Sequence, residues 1–138
     1  MRRFTPAMLI LSLALAACGG GPAASISKAD CATADAAGVI ALSATSMRFD
    51  VPCLIAPAGV AFTIHFTNHD GIPHDVATYD SASKGTKLFE GDPQNGEGTV
   101  DYAIDPMTAG EYYFDCTFHP GDMHGILYVE SAAAPSGG

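Results

Sequence analysis

Tryptophan is absent, and only 6 lysines and arginines stand against 15 aspartates and glutamates in 138 residues, a formal charge of −9. Outside Arg2 and Arg3 the basic residues form no cluster, which excludes the cationic surface that tracks a phosphate backbone and makes nucleic acid an unexpected partner. A membrane-spanning run is also missing, because the apolar stretch from Phe4 to Ala17 falls short of the roughly 20 residues a spanning helix needs. The length leaves room for one domain and excludes a multidomain enzyme, and no internal repeat is visible. Charged residues are only 15% and hydrophobic residues 48%, so the chain can bury enough surface to fold. With 15 glycines and 9 prolines, turns between short strands are expected rather than a helical bundle, and the fold class is all-β.

Arg2 and Arg3 followed by the apolar run to Ala17 read as an export signal covering residues 1–17. Leu15-Ala16-Ala17-Cys18 resembles the lipobox of bacterial lipoproteins, which makes Cys18 the expected lipidation site. The other reading is an ordinary secretory signal with an incidental cysteine, and on both the mature domain is exported; the lipid anchor places it at the cell envelope, on a periplasmic or extracytoplasmic face. Loss of Arg2 and Arg3 leaves 4 basic residues against 15 acidic, a formal −11. Residues 18–29, rich in Gly and Ala, have tether composition, and residues 131–138 form a similar tail. The folded domain is expected over residues 30–130.

Val60, Phe62, Ile64 and Phe66 alternate with small or polar residues, which predicts a half-buried strand with these four side chains on the core face. Further strands are expected at residues 39–50, 75–79, 99–104, 111–116 and 125–130, separated by Gly, Pro, Asn and Asp. This spacing predicts a β-sandwich. Only Ser27 to Ala37 has any helical character.

The chemistry lies near the C-terminus, where Cys116, His119 and Met123 form a C-x2-H-x3-M pattern in a short loop between strands. A thiolate, an imidazole and a thioether converging from one loop suit soft copper. A third strong ligand is required, and His74, stiffened by Pro73 at the opening of a strand, is the candidate. Two His, one Cys and a weak axial Met make the trigonal blue-copper set.

The segment Asn68 to His74 with its internal Gly-x-Pro-His, followed by Tyr-x-Phe-x-Cys-x2-His-Pro and Met-x-Gly, resembles the cupredoxins, in particular their plastocyanin and amicyanin branch, over residues 39–130. The resemblance implies a Greek-key β-sandwich holding one type 1 copper ion through His74, Cys116, His119 and Met123. It implies an electron carrier, not an enzyme, that works as a monomer with a redox partner such as a c-type cytochrome or an oxidase. The His-to-Met spacing lies between those of the amicyanin-like and plastocyanin-like loops. Asp75 stands where that branch usually has Asn, and its carboxylate is expected to accept from Thr117 and to favour Cu(II). Ile72, Pro73, Phe118 and Pro120 are expected to form an apolar patch around His119 that docks the partner.

With Cys18 assigned to lipid and Cys116 to copper, Cys31 and Cys53 remain as a pair in an oxidising compartment, and a disulfide between them is expected. Asn68 reads as a structural turn residue, and His65 and His69 as surface residues. His124 competes with Met123 for the axial position. A Cys116–His119 nucleophile pair finds no neighbouring oxyanion hole in the sequence, and a copper enzyme needs a second cluster of histidines. Copper storage or delivery is the alternative function, although the Met- and His-rich tracts it calls for are absent.

Overall fold

The protein is described by a computed structural model over residues 25–131; the export signal, Cys18, and most of the tether and tail lie outside the described residues. After a short 3-10 turn at Lys28–Asp30, strands follow in the order β1 (Ala32–Thr33), β2 (Val39–Ala44), β3 (Cys53–Pro57), β4 (Phe62–Asn68), β5 (Pro73–His74), β6 (Ala77–Tyr79), β7 (Lys87–Glu90), β8 (Gln94–Asn95), β9 (Gly98–Ile104), β10 (Gly110–Asp115) and β11 (His124–Glu130). They form a six-stranded sheet, β1-β3-β11-β10-β6-β7, a three-stranded sheet, β2-β4-β9, and the small pair β5-β8. The all-β sandwich expected from the sequence is observed. Among the described residues no helix is long and apolar enough to cross a membrane.

The two larger sheets share one core. Ile40, Leu42, Ile64, Phe66 and Tyr102 from the three-stranded sheet meet Leu54, Phe114, Leu127 and Val129 from the six-stranded one in a single buried cluster. Phe49 bridges them, with its ring 6.2 Å from Phe66 and 5.3 Å from Phe114. Strands distant in sequence are neighbours, as when β3 lies parallel to β11 with Leu54 opposite Leu127, and such long connections are what a Greek key requires. Cys116 and Met123 belong to this same cluster, so the core itself supports the C-terminal loop.

Several local expectations are corrected. Val60 is 56% exposed, because the chain turns at Gly59 with φ 73° and the alternating strand begins only at Phe62; Phe62, Ile64 and Phe66 do face the core. The expected strand over 39–50 is cut at Ala44 by a reversal at Ser46 and Met47, both at positive φ, beyond which Phe49 bridges back to Ala44. The segment at 75–79 keeps only β6, with β5 as a separate short strand. The weak helix over 27–37 is replaced by the 3-10 turn, β1 and a bend in which Asp35 Oδ1 accepts from the amides of Ala37 and Val39, both at 2.9 Å. An Asp side chain that satisfies nearby amides competes with helix in this way. Strands β3, β7 and β8 fall outside the expected runs. The Cys31–Cys53 disulfide is present, with Cα atoms 4.5 Å apart, and joins the segment before β1 to the first residue of β3.

Candidate metal centre

Two loops bring the polar residues together. The first leaves β4 at Asn68, which is buried and whose Nδ2 donates to the carbonyls of Ile72 (2.8 Å) and Gln94 (3.0 Å). Asn68 thus clamps the loop to β8, which fits its reading as a turn residue. Pairing of Pro73–His74 with Gln94–Asn95 then carries His74 into the interior, where its side chain is fully buried. The second loop runs from Cys116 to Met123 and is closed by its own backbone. The Cys116 amide donates to Met123 O (2.9 Å), and the amides of Asp122 and Met123 both donate to His119 O, at 3.1 and 2.9 Å.

The loops converge on one point. Cys116 Sγ lies 3.7 Å from His74 Nδ1 and 3.9 Å from His119 Nδ1, and the three donor atoms all fall within 4.8 Å of one another. The imidazoles meet edge to face with centroids 4.9 Å apart. His74 and Cys116 are buried while His119 is partly exposed. Met123 is wholly buried, whereas His124 is exposed, stacks on Tyr113 at 5.8 Å and has its Nδ1 3.2 Å from Pro120 O. Met123, the last residue before β11, is thus turned into the core while His124, the first residue of β11, is turned to solvent.

This donor set fits a soft metal ion. Two ring nitrogens and a sulfur face a common centre with a thioether residue packed in the adjoining core, and no carboxylate belongs to the convergent group. Such a mixture of imidazole and sulfur selects copper or zinc over hard cations. Burial pushes the Cys116 thiol up, so without a metal the sulfur holds its proton, which a bound cation would have to displace.

Charged neighbours surround the donors. Asp75, 1% exposed, accepts from the Thr117 amide at 2.7 Å and from the Thr117 hydroxyl, which realises the expected link between the loops. Sequence reasoning missed Asp70, whose Oδ2 lies 2.9 Å from His74 Nε2. The amides of Met47 and Ser46, with His74, hold its carboxyl well below the ordinary range, at about 2. An acidic residue four positions before His74 was the available signal, but only the folded loop turns it back. Asp115 is buried beside Cys116 and bonds to Tyr79 OH at 3.1 Å and to Lys84. Among the residues expected to dock a partner, Ile72 and Phe118 are 40% and 49% exposed, Pro120 is exposed and Pro73 half-buried. His69 is exposed, and the partly exposed His65 pairs with Asp101.

Comparison with known proteins agrees with this geometry. Auracyanin A, described as a blue copper protein from the green thermophilic photosynthetic bacterium Chloroflexus aurantiacus, shares the fold with a TM-score of 0.60 at 22% identity, covering 67% of this chain and 98% of its own. Amicyanin from Paracoccus versutus is 30% identical with a TM-score of 0.52, covering 68% of this chain and 83% of its own. A reduced single-residue variant of amicyanin is 28% identical with a TM-score of 0.51, covering 70% and 86%. A comparison with curated protein sequences gave no match. The Cupredoxin-like domain family matches residues 7–129, and with the sandwich, the two converging loops and the His-Cys-His cluster all in place, this chain belongs to the cupredoxin-like family.

Proposed function

We propose that the protein is an electron carrier of the cell envelope that holds a single type 1 copper ion and is tethered to a membrane through lipidated Cys18. The observation that carries this reading is the convergence of His74 Nδ1, Cys116 Sγ and His119 Nδ1 from two loops anchored in one core. His74, Cys116, His119 and Met123 would hold the ion. Bound copper supplies a reversible Cu(II)/Cu(I) couple.

The chain's own residues suit that task. Because Cys116 and His74 are buried and the backbone closes the 116–123 loop on itself, the donors keep their places whichever charge the centre carries, and little has to rearrange. The partly exposed His119 is the opening through which an electron would pass. Exposed Phe118 and Ile72, with Pro73 and Pro120, would offer a redox protein, such as a c-type cytochrome or an oxidase, an apolar and transient seat. The amicyanin structures include reduced and Cu(I) forms, in line with this role. The surface charge keeps the domain soluble and monomeric.

The test is the visible spectrum of the purified protein after addition of Cu(II), with a Cys116→Ser control. An intense thiolate-to-copper band, lost in the control and reversibly bleached by ascorbate, is expected. Tight copper binding without that band would refute the carrier and move the function to copper storage or delivery.

A further inference from the structure

The reversal that ends β2 is unusual in its residues. Ser46 and Met47 occupy its two central positions with φ of 53° and 57°, and the turn is closed by paired bonds between Thr45 and Arg48 at 3.0 and 3.2 Å. Two-residue turns with positive φ at both centres are ordinarily filled by Asn, Asp or Gly, because other side chains crowd the backbone there. Something outside the turn must over-determine it, as strained backbone at functional sites requires. Both amides point at one carboxylate: Ser46 N donates to Asp70 Oδ1 at 2.7 Å and Met47 N to Asp70 Oδ2 at 2.9 Å. The third partner of that carboxylate is His74 Nε2, 2.9 Å from Oδ2, while the Asp70 amide is itself tied to Asn68 Oδ1 at 2.8 Å. The turn, the acid and the buried imidazole therefore form one continuous hydrogen-bonded unit.

An ionised carboxylate only accepts, so the hydrogen shared with His74 belongs to Nε2. In the neutral ring this leaves the lone pair on Nδ1, the atom that lies 3.7 Å from Cys116 Sγ. We propose that Asp70 is a positioning residue, seated by the Ser46 and Met47 amides, which locks the buried His74 in its Nε2–H form and so presents Nδ1 as a ready donor for copper. The copper part rests on the function proposed above; the tautomer does not. Carboxylate partners behind a metal-binding histidine act in this way, raising ligand basicity and fixing the ring. Here the device extends one step further, to a strained turn more than twenty residues earlier in the chain.

Asparagine at position 70 separates this role from packing. It has nearly the shape of aspartate but only one acceptor oxygen, while three donors converge on the group. Either an amide hydrogen meets His74 Nε2 and drives the ring proton to Nδ1, or it meets a turn amide and leaves two donors opposed. A residue that merely filled space would leave the ring proton where it is.

The experiment is 15N NMR of the imidazole nitrogens in the metal-free, full-length protein at neutral pH, comparing the unsubstituted chain with Asp70→Asn. The expected result is a His74 protonated at Nε2 in the unsubstituted chain and a population shifted toward Nδ1–H in the variant. Cu(II) affinity in the variant is expected to fall roughly ten- to a hundredfold, as for the loss of other outer-shell partners, and the reduction potential of the loaded variant to rise. A proton on Nδ1 in the unsubstituted chain overturns the proposal without any variant, should Asp70→Asn fail to fold. An unchanged tautomer and an affinity within threefold in a folded variant overturn it as well. A missing blue band beside an Nε2–H His74 would instead defeat the copper reading and leave the lock standing.

Discussion

Replacing Asp75 by alanine removes the side chain that ties the loop carrying His74 to the loop carrying Cys116 and His119. Asp75 is 1% exposed and receives both the amide and the hydroxyl of Thr117. Hydrogen bonds to a charged acceptor contribute about 1.5–3 kcal/mol each, and because Thr117 is half-buried water recovers part of the loss, so the expected cost is about 3 kcal/mol. For a domain of this size each kcal/mol lowers Tm by about 4–8 °C, which predicts a fall of about 12–24 °C. Asparagine keeps an acceptor for the Thr117 amide and offers the hydroxyl a donor, so Asp75→Asn is expected to cost less than about 1 kcal/mol. The assay is thermal unfolding of the metal-free protein followed by circular dichroism, with Thr117→Val and the double variant completing a cycle. A fall below about 4 °C for Asp75→Ala, or equal losses for alanine and asparagine, would refute the claim that these bonds hold the loops together. In the copper-loaded protein the same asparagine removes a negative charge beside the centre and is expected to raise the reduction potential.

The Cys31–Cys53 bond closes a loop with a sequence separation of 22, which in the chain-entropy model stabilises by about 3 kcal/mol; melting with and without reductant, compared with the double alanine variant, reads this directly. Lys84→Met leaves the buried Asp115 with Tyr79 as its remaining side-chain partner and is expected to cost about 1–3 kcal/mol in urea unfolding, whereas no loss would mean that Tyr79 alone satisfies the carboxylate. Glutamate at Phe118 or Ile72 is expected to slow electron transfer to a redox partner, measured by stopped flow, with the potential and the spectrum unchanged; an undiminished rate would exclude the apolar seat.

The parts of this protein legible in the sequence are those whose signal is local. Alternation over Phe62, Ile64 and Phe66 exposes a strand face because the side-chain period of a strand is two, and Cys116, His119 and Met123 share one short loop, so their spacing alone brings them near each other. His74 was found by its loop and by the need for a further ligand. Strand β3 shows no alternation in its letters, Cys-Leu-Ile-Ala-Pro, although in the fold burial alternates from Leu54 to Pro57, with Leu54 and Ala56 turned to the core. Val60 continued the alternating pattern in letters only, and the turn at Gly59 with φ 73° ended it in space. Nothing local marks Ser46 and Met47 for positive φ either, because the carboxylate that stabilises them comes from Asp70 in another loop. By itself the sequence determined the strand-rich class, the donor types and the pairing of two loops, all set by composition and short-range spacing. Tertiary structure decided that Met123 is buried while His124 is exposed, that His119 stays partly open to solvent and which acid stands behind His74, because each depends on a partner that only long-range folding delivers.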